Sequence, residues 1–384
     1  MSAADRLAAN AVDVVPGDGL AAKLALGRPL RVKFGVDPTA PDIHLGHTVV
    51  LQKLRQFQDE GHLAVLIIGD WTARVGDPSG RSSTRPMLSA DEIERNAASY
   101  REQAFRVIDP QRTEIRSNGE WFGAMGLEQV FRLAASTTVN QLLRRNDFAA
   151  RMGADRPVSV LELLYPLMQA YDSVMVEADV ELGGTDQLFN LMLGREMQAH
   201  FGRPPQVALT MPILSGTDGV KKMSKSLGNQ IGVDDPADEQ FGRTMSITDD
   251  AMAEWYRLLA PAEPPPEGHP NESKRRLARL LVDRFHGAGA GARAEEAFNR
   301  VVRDRRAPDE MAEIAVPAGT VHLPALLADG LGVASRSEAR RLIAGGGVSI
   351  DGEPVRELDV EAAALDGAVL RAGKRRFARV RVAP

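Results

Sequence analysis

The chain has 384 residues, enough for two or three domains rather than one ordinary core. It contains no cysteine, which excludes disulfides, thiolate metal sites and thiol nucleophiles, and its formal charge of −5 excludes a uniformly basic coat, so any nucleic-acid surface must be regional. Met1 to Pro16 mixes acidic and basic side chains without the apolar stretch of a signal peptide, and no later run is long enough to span a bilayer. The expectation is a cytoplasmic protein with no membrane attachment.

Leu30 to Val36 alternates in polarity and runs into Asp37-Pro38-Thr39-Ala40-Pro41-Asp42, a cluster of turn formers, as a strand entering a loop does. Val50, Leu51, Leu54 and Phe57 then recur at helical spacing until Gly61. Ala64 to Ile68 is continuously apolar before Gly69, the pattern of a strand buried on both faces of a parallel sheet. Strand, helix and strand in succession make a βαβ unit, and the expected fold is α/β: a Rossmann-like, doubly wound parallel sheet.

Between the first strand and the helix stands His44-Leu45-Gly46-His47. A helix start offers unpaired backbone N–H groups and partial positive charge, so imidazoles three apart there can serve an anion together. Read alone, two such histidines fit a solvated turn or a helix cap equally well, and a metal would need a third ligand that no neighbour supplies. Leu161 to Asp172 has helical periodicity, with Leu163, Leu164, Leu167 and Met168 on its apolar face. Gly183-Gly184-Thr185-Asp186-Gln187 follows as another strand-end loop. Lys222-Met223-Ser224-Lys225-Ser226, with Gly216, Gly219 and Gly228 nearby, reads as a cationic loop able to close over a polyphosphate, although a lysine-serine loop alone is commonly just solvated surface.

Beyond Asp234 the chain turns helical and charged as far as about Arg306, broken by the prolines from Pro261 to Pro270, and a third unit begins near Val321. The expected domains are 1–232, the doubly wound catalytic domain; 233–318, helical; and 319–384, a small α+β module. In the last, Arg336, Arg340 and Arg341 share a helix face, and Lys374, Arg375, Arg376, Arg379 and Arg381 crowd the final strands, a candidate RNA surface.

HLGH followed by KMSKS resembles the signature pair of class I aminoacyl-tRNA synthetases. The words Gly35-Val36-Asp37-Pro38-Thr39, Val75 to Arg81 (VGDPSGR), Tyr165 to Asp172 (YPLMQAYD) and Gly183 to Gln187 (GGTDQ) are similar to the substrate-site blocks of the bacterial tyrosyl enzymes, and the resemblance spans nearly the whole chain. It implies tyrosine–tRNA ligase activity, with ATP and Mg²⁺ as a substrate complex, no tightly bound cofactor, tRNA(Tyr) and L-tyrosine as partners, and a homodimer. By resemblance Thr39, His44, Lys222 and Lys225 hold the triphosphate in its transition state and His47 the nucleotide. Gly46, Met223 and Ser224 belong to that nucleotide site, Gly184 and Asp186 to the ribose, and Arg81 and Arg85 to pyrophosphate. Tyr165, Gln169 and Asp77 would hold the substrate ammonium, with Asp37 and Thr72 lining the same cavity, Gln187 facing the reacting carboxylate and Asp172 accepting the phenol hydroxyl. The C-terminal unit resembles an S-four-like RNA-binding module, and the helical region would read the anticodon. One departure stands out: many relatives have a tyrosine where this chain has Lys33, so a second phenol contact must come from elsewhere or be absent. That leaves open an altered aromatic substrate, another class I activity such as tryptophan activation, a non-tRNA acceptor, or an RNA-binding protein without activation.

Overall fold

The apolar run before Gly69 is a strand covered on both faces: β3 (Leu63–Ile68) is buried at every position after its first. Around it stand β1 (Asp13–Val15), β2 (Arg31–Val36), β4 (Thr113–Ser117), β5 (Val180–Gly184) and β6 (Val207–Met211), in the sheet order β1-β6-β5-β2-β3-β4. The computed structural model describes residues 1–39, 42–79, 89–263, 268–302, 311–373 and 376–383.

β2 pairs in parallel with β3 on one side and with β5 on the other. From β2 the chain winds outward to β3 and β4, and later from β5 to β6, so the carboxyl ends of β2 and β5 form the switch point where open α/β sheets bind ligands. The sheet departs from the expected all-parallel form at one edge. β1 runs antiparallel to β6, with Val14 opposite Leu209. Three residues, none fully buried, are too few to show a period in sequence.

Helix Leu45–Asp59 buries Leu51, Leu54 and Phe57 completely, and Gly61 ends the turn with φ +92, which a side chain would resist. Helix Val160–Met175 opens on a reciprocal cap: the Ser159 hydroxyl accepts from the Leu161 and Glu162 N–H groups, and Glu162 accepts from Ser159 N at 2.9 Å. This helix continues past Asp172, which is therefore an interior residue, 3% exposed, and not a solvated acid at a helix end.

The chain divides into two compact units, each described by itself: Met1–Pro236 with Arg243–Leu281, and Ala237–Gly242 with Val282–Pro384. The first includes helix Asp249–Leu259, which buries Trp255, Tyr256 and Leu259, and a helix that starts at Pro270, where the missing N–H costs nothing. The second holds a five-stranded sheet, in which Val369–Ala372 and Arg376–Val382 pair antiparallel and Ala312–Val316 joins the latter in parallel. This sheet thus reaches back to Ala312, ahead of the boundary expected at 319. Helices Leu323–Gly330 and Arg336–Ala344 pack Leu323, Leu327, Ala339 and Ile343 into one core with Val348, Leu370 and Val380. Among the described residues no helix is long and apolar enough to cross a membrane.

Candidate active site

At the switch point lies a cavity of about 430 Å³. Its lining brings together Asp37 and Thr39 after β2, Thr72 and Asp77 after β3, and Gly184, Asp186 and Gln187 after β5. It also takes in His44, Gly46 and His47 from the first helix start, Tyr165, Gln169 and Asp172 from helix Val160–Met175, and Lys222, Met223, Ser224 and Lys225 from the downstream loop. Arg81 and Arg85 lie outside the described residues, as do Lys374 and Arg375. Arg336, Arg340 and Arg341 are exposed in the second compact unit.

His44 is the N-cap of helix Leu45–Asp59, and its ring stacks on that of His47 at 3.9 Å. The His44 backbone N–H donates to His47 Nδ1 at 3.2 Å, so neutral His47 must carry its proton on Nε2 and present it as a donor. Burial lowers the His47 pKa to about 4. Burial, then the neighbouring His47 and Lys222, lowers that of His44 to about 2. Both rings are therefore neutral hydrogen-bonding groups at physiological pH. Gly46 leaves room for this stack, because a Cβ there would sit 3.0 Å from the His44 ring.

The lysine loop is pinned at its base and free at its side chains. Ser224 N donates to Asn229 Oδ1 at 2.9 Å, and Asn229 donates to Asp218 at 2.8 Å. Lys222 Nζ lies 4.0 Å from Asp186 and Lys225 Nζ 2.5 Å from Asp42, with both lysine side chains about half exposed. Burial raises the Asp186 pKa, an effect that Lys222 opposes.

The other group of side chains is interlocked. Asp37 accepts from Thr72 Oγ1 at 2.7 Å and from the Tyr165 hydroxyl at 2.9 Å. Burial, then the charge of Asp37, pushes the Tyr165 phenol well above its ordinary range. Gly69 makes this approach possible, since a Cβ would fall 2.1 Å from Thr72 Oγ1 and 2.2 Å from Asp37 Oδ1. Asp77 accepts from Gln187 Nε2 at 2.8 Å, and Asn190 Nδ2 donates at 2.9 Å to both Gln187 and Gln169. Arg145, 4% exposed, ties this cluster to the loop after β3 through Asn190 Oδ1 at 2.9 Å and Ser79 Oγ at 2.9 Å, while pairing with Asp147 at 3.0 Å.

Asp172 accepts from Trp121 Nε1 at 3.0 Å and from Asn118 Nδ2 at 3.3 Å. Burial raises its pKa to about 7 against the lowering influence of Lys33 and these two donors. Lys33 does not line the cavity. It is completely buried one layer beneath, where it pairs with Glu181 at 2.9 Å. Sequence reading passed over Trp121, Asn118, Arg145, Asn190, Glu181 and the cavity-lining Asp42 and Tyr100. Only Asn118-Gly119, a turn pair after an alternating segment, carried a local signal of a strand end.

The profile described as tRNA synthetases class I (W and Y) matches residues 25–303. The chain belongs to this family. A second profile, the S4 domain, matches residues 323–361. This synthetase is 50% identical to the tyrosine–tRNA ligase of Moorella thermoacetica, an alignment covering 96% of the chain and 93% of that protein. It is 47% identical to that of Geobacter sulfurreducens, covering 99% of each. Among solved structures, the tyrosyl-tRNA synthetase of Aeropyrum pernix superposes with a TM-score of 0.61 at 23% identity, covering 77% of this chain and 97% of that one. The Archaeoglobus fulgidus enzyme complexed with L-tyrosine gives 0.62 at 23% identity, covering 76% and 98%. These two likenesses establish the class I fold, and the sequence relatives establish an aminoacyl-tRNA synthetase, a ligase that uses ATP.

Proposed function

We propose that this synthetase is a tyrosine–tRNA ligase. It activates L-tyrosine with ATP, taken as its Mg²⁺ complex, to tyrosyl-adenylate and pyrophosphate, then transfers the tyrosyl group to the 3′-terminal adenosine of tRNA(Tyr), in the cytoplasm and without a tightly bound cofactor. The observation that carries the choice of tyrosine is Asp172, a buried carboxylate on the cavity wall whose two oxygens are each fixed by a donor. Such an acceptor is left unpaired by phenylalanine, and tyrosyl enzymes are the reference example of this discrimination, at about 10⁵-fold without editing. An indole offers no hydroxyl to it.

In the first step a carboxylate oxygen of tyrosine attacks the α-phosphorus, the bond to the bridging oxygen breaks, and pyrophosphate departs with the electron pair. No proton need move, so the work is positioning and charge stabilisation. Thr39, His44, Lys222 and Lys225 hold the triphosphate. His47, with Gly46, Met223 and Ser224, holds the nucleotide, Gly184 and Asp186 the ribose, and Arg81 and Arg85 the leaving pyrophosphate. Neutral histidines suit this role, because each donates one N–H without neutralising the phosphate permanently. Asp77, Tyr165 and Gln169 take the substrate ammonium, beside Asp37 and Thr72, and Gln187 faces the carboxylate. The Tyr165 hydroxyl spends its proton on Asp37, which leaves its oxygen free to accept from a cation.

Arg336, Arg340, Arg341, Lys374 and Arg375 of the module 319–384 serve tRNA, and the helical part 233–318 reads the anticodon. We also assign a homodimer, supported by an apolar surface in which Leu127 is 68%, Phe131 63% and Val160 77% exposed. Light scattering at micromolar concentration tests it, and a monomer would refute it. Amino-acid-dependent ATP–pyrophosphate exchange, run with all twenty amino acids, tests the central reading. Exchange with tyrosine is expected, and preference for another amino acid, or exchange with none, would overturn it.

A further inference from the structure

Lys33 and Glu181 form an ion pair in which neither side chain is more than 1% exposed. Burying two charges is costly, and such pairs are weak sources of stability, so their use must be sought in what they hold. Lys33 Nζ donates to the Gln169 carbonyl oxygen at 2.8 Å and to Ser173 Oγ at 2.7 Å. Glu181 accepts from Ser173 Oγ at 3.0 Å, from Gln169 Nε2 at 3.3 Å and from Gln206 Nε2. All of the ammonium hydrogens and both carboxylate oxygens are therefore used. Four of these five bonds grip one turn of helix Val160–Met175, the turn that presents Gln169 and Asp172 to the cavity.

We propose that Lys33 and Glu181 are positioning residues for amino-acid selection: together they orient Gln169 and Asp172, and their opposed charges set whether Asp172 meets the substrate as an ionised acceptor. This rests on the tyrosine reading above and deepens it, since it supplies the phenol subsite with a charge from beneath in place of a second contact from Lys33. The charges acting on Asp172 come from both strands below it. Lys33 on β2 favours its ionised form and Glu181 on β5 opposes it. Tyr165, on the same helix, is a neutral phenol bonded to Asp37, and Asn118 and Trp121 supply uncharged donors. A protonated Asp172 would offer its own hydrogen and would no longer demand one from the substrate, so the charge state decides the selectivity.

The two charges therefore predict opposite effects, which a role in packing alone would not produce. The test uses the full-length protein and measures the dissociation constants of L-tyrosine and L-phenylalanine by equilibrium dialysis from pH 5.5 to 9, for the wild type, Lys33→Met and Glu181→Gln. Wild-type tyrosine affinity should fall on the acid side as Asp172 takes a proton. Lys33→Met should move that fall upward by about one to two pH units and cut the tyrosine-to-phenylalanine ratio at pH 7 by about tenfold. Glu181→Gln should move the fall downward and keep the ratio. If Lys33→Met does not fold, the downward shift in Glu181→Gln decides alone. Displacement of both variants in the same direction, or an acid limb at the same pH in all three, would overturn the inference while leaving tyrosine selection standing. A wild type that binds tyrosine no better than phenylalanine would overturn both.

Discussion

The cavity is built from two groups of side chains with opposite construction. The histidine and lysine group is assembled from contiguous words: His44 and His47 stack across one helical turn, and the lysines ride on a loop stapled by Asn229, five residues from Ser224. The Asp172 group is assembled from distant segments. Trp121 meets Asp172, Lys33 meets Glu181, and Arg145 joins Ser79 to Asn190. The first group can move its charges and the second cannot: Lys222 and Lys225 are half exposed, whereas Lys33, Arg145 and Asp172 are sealed. Stabilising charge that appears only in the transition state calls for the former arrangement, and selecting one side chain among twenty calls for the latter.

The largest effect separating the two groups should come from the loop. Lys222→Ala or Lys225→Ala should slow single-turnover activation by about 10²–10³-fold with tyrosine affinity nearly unchanged, since only developing charge loses its partner. Stopped-flow measurement of adenylate formation, alongside equilibrium dialysis of tyrosine, checks both halves. Arg145→Leu should do the reverse: it strands Asp147 and loosens Ser79 and Asn190, raising the tyrosine KM by roughly tenfold or more and costing about 3 kcal/mol of stability. Urea denaturation with steady-state kinetics reads these, and a change confined to kcat would speak against the positioning role.

How much of this was legible follows the same division. The βαβ unit, the buried strand β3 and the helix carrying Asp172 were readable because their periodicities are local, and the cavity lining was readable because its residues sit in motif words. The antiparallel strand β1 was too short to show a period. Trp121 and Glu181 stand in stretches without any motif, and their roles exist only after β4 and β5 have been laid beside β3 and β2. Lys33 was noticed as a departure, but in sequence its alternation cannot say which face of β2 looks into the cavity. The structure gives the answer, with Phe34 and Gly35 lining it and Lys33 beneath.

Two smaller effects sharpen the contrast through pH. Asp172 has a pKa of about 7 in the folded protein against an ordinary 3.8, so its burial leaves stability intact at low pH and removes it as pH rises through that window. Asp172→Asn should therefore raise the melting temperature at pH 7.5, by an amount equivalent to roughly 1–3 kcal/mol, and lose that advantage near pH 4. For the histidines the sign is reversed: their pKa values of about 2 and about 4 lie below the ordinary 6.5, so their contribution is present above 6.5 and declines as pH falls toward 4. Melting temperatures of His47→Gln and wild type should accordingly converge, or cross in favour of the variant, on going from pH 7.5 to pH 5. The smallest effect belongs to Trp121→Phe, which keeps the ring and deletes one donor to Asp172. A fall of about five- to tenfold in tyrosine-to-phenylalanine selectivity is expected, with little change in the ATP KM.

The central claim is that one sealed carboxylate chooses the substrate while the mobile charges perform the chemistry. Its most direct test is the ratio of kcat/KM for tyrosine over phenylalanine in ATP–pyrophosphate exchange, compared between the wild type and Asp172→Ala. The ratio should drop by about 10²-fold or more, with the ATP KM held within about twofold. An unchanged ratio would contradict the account.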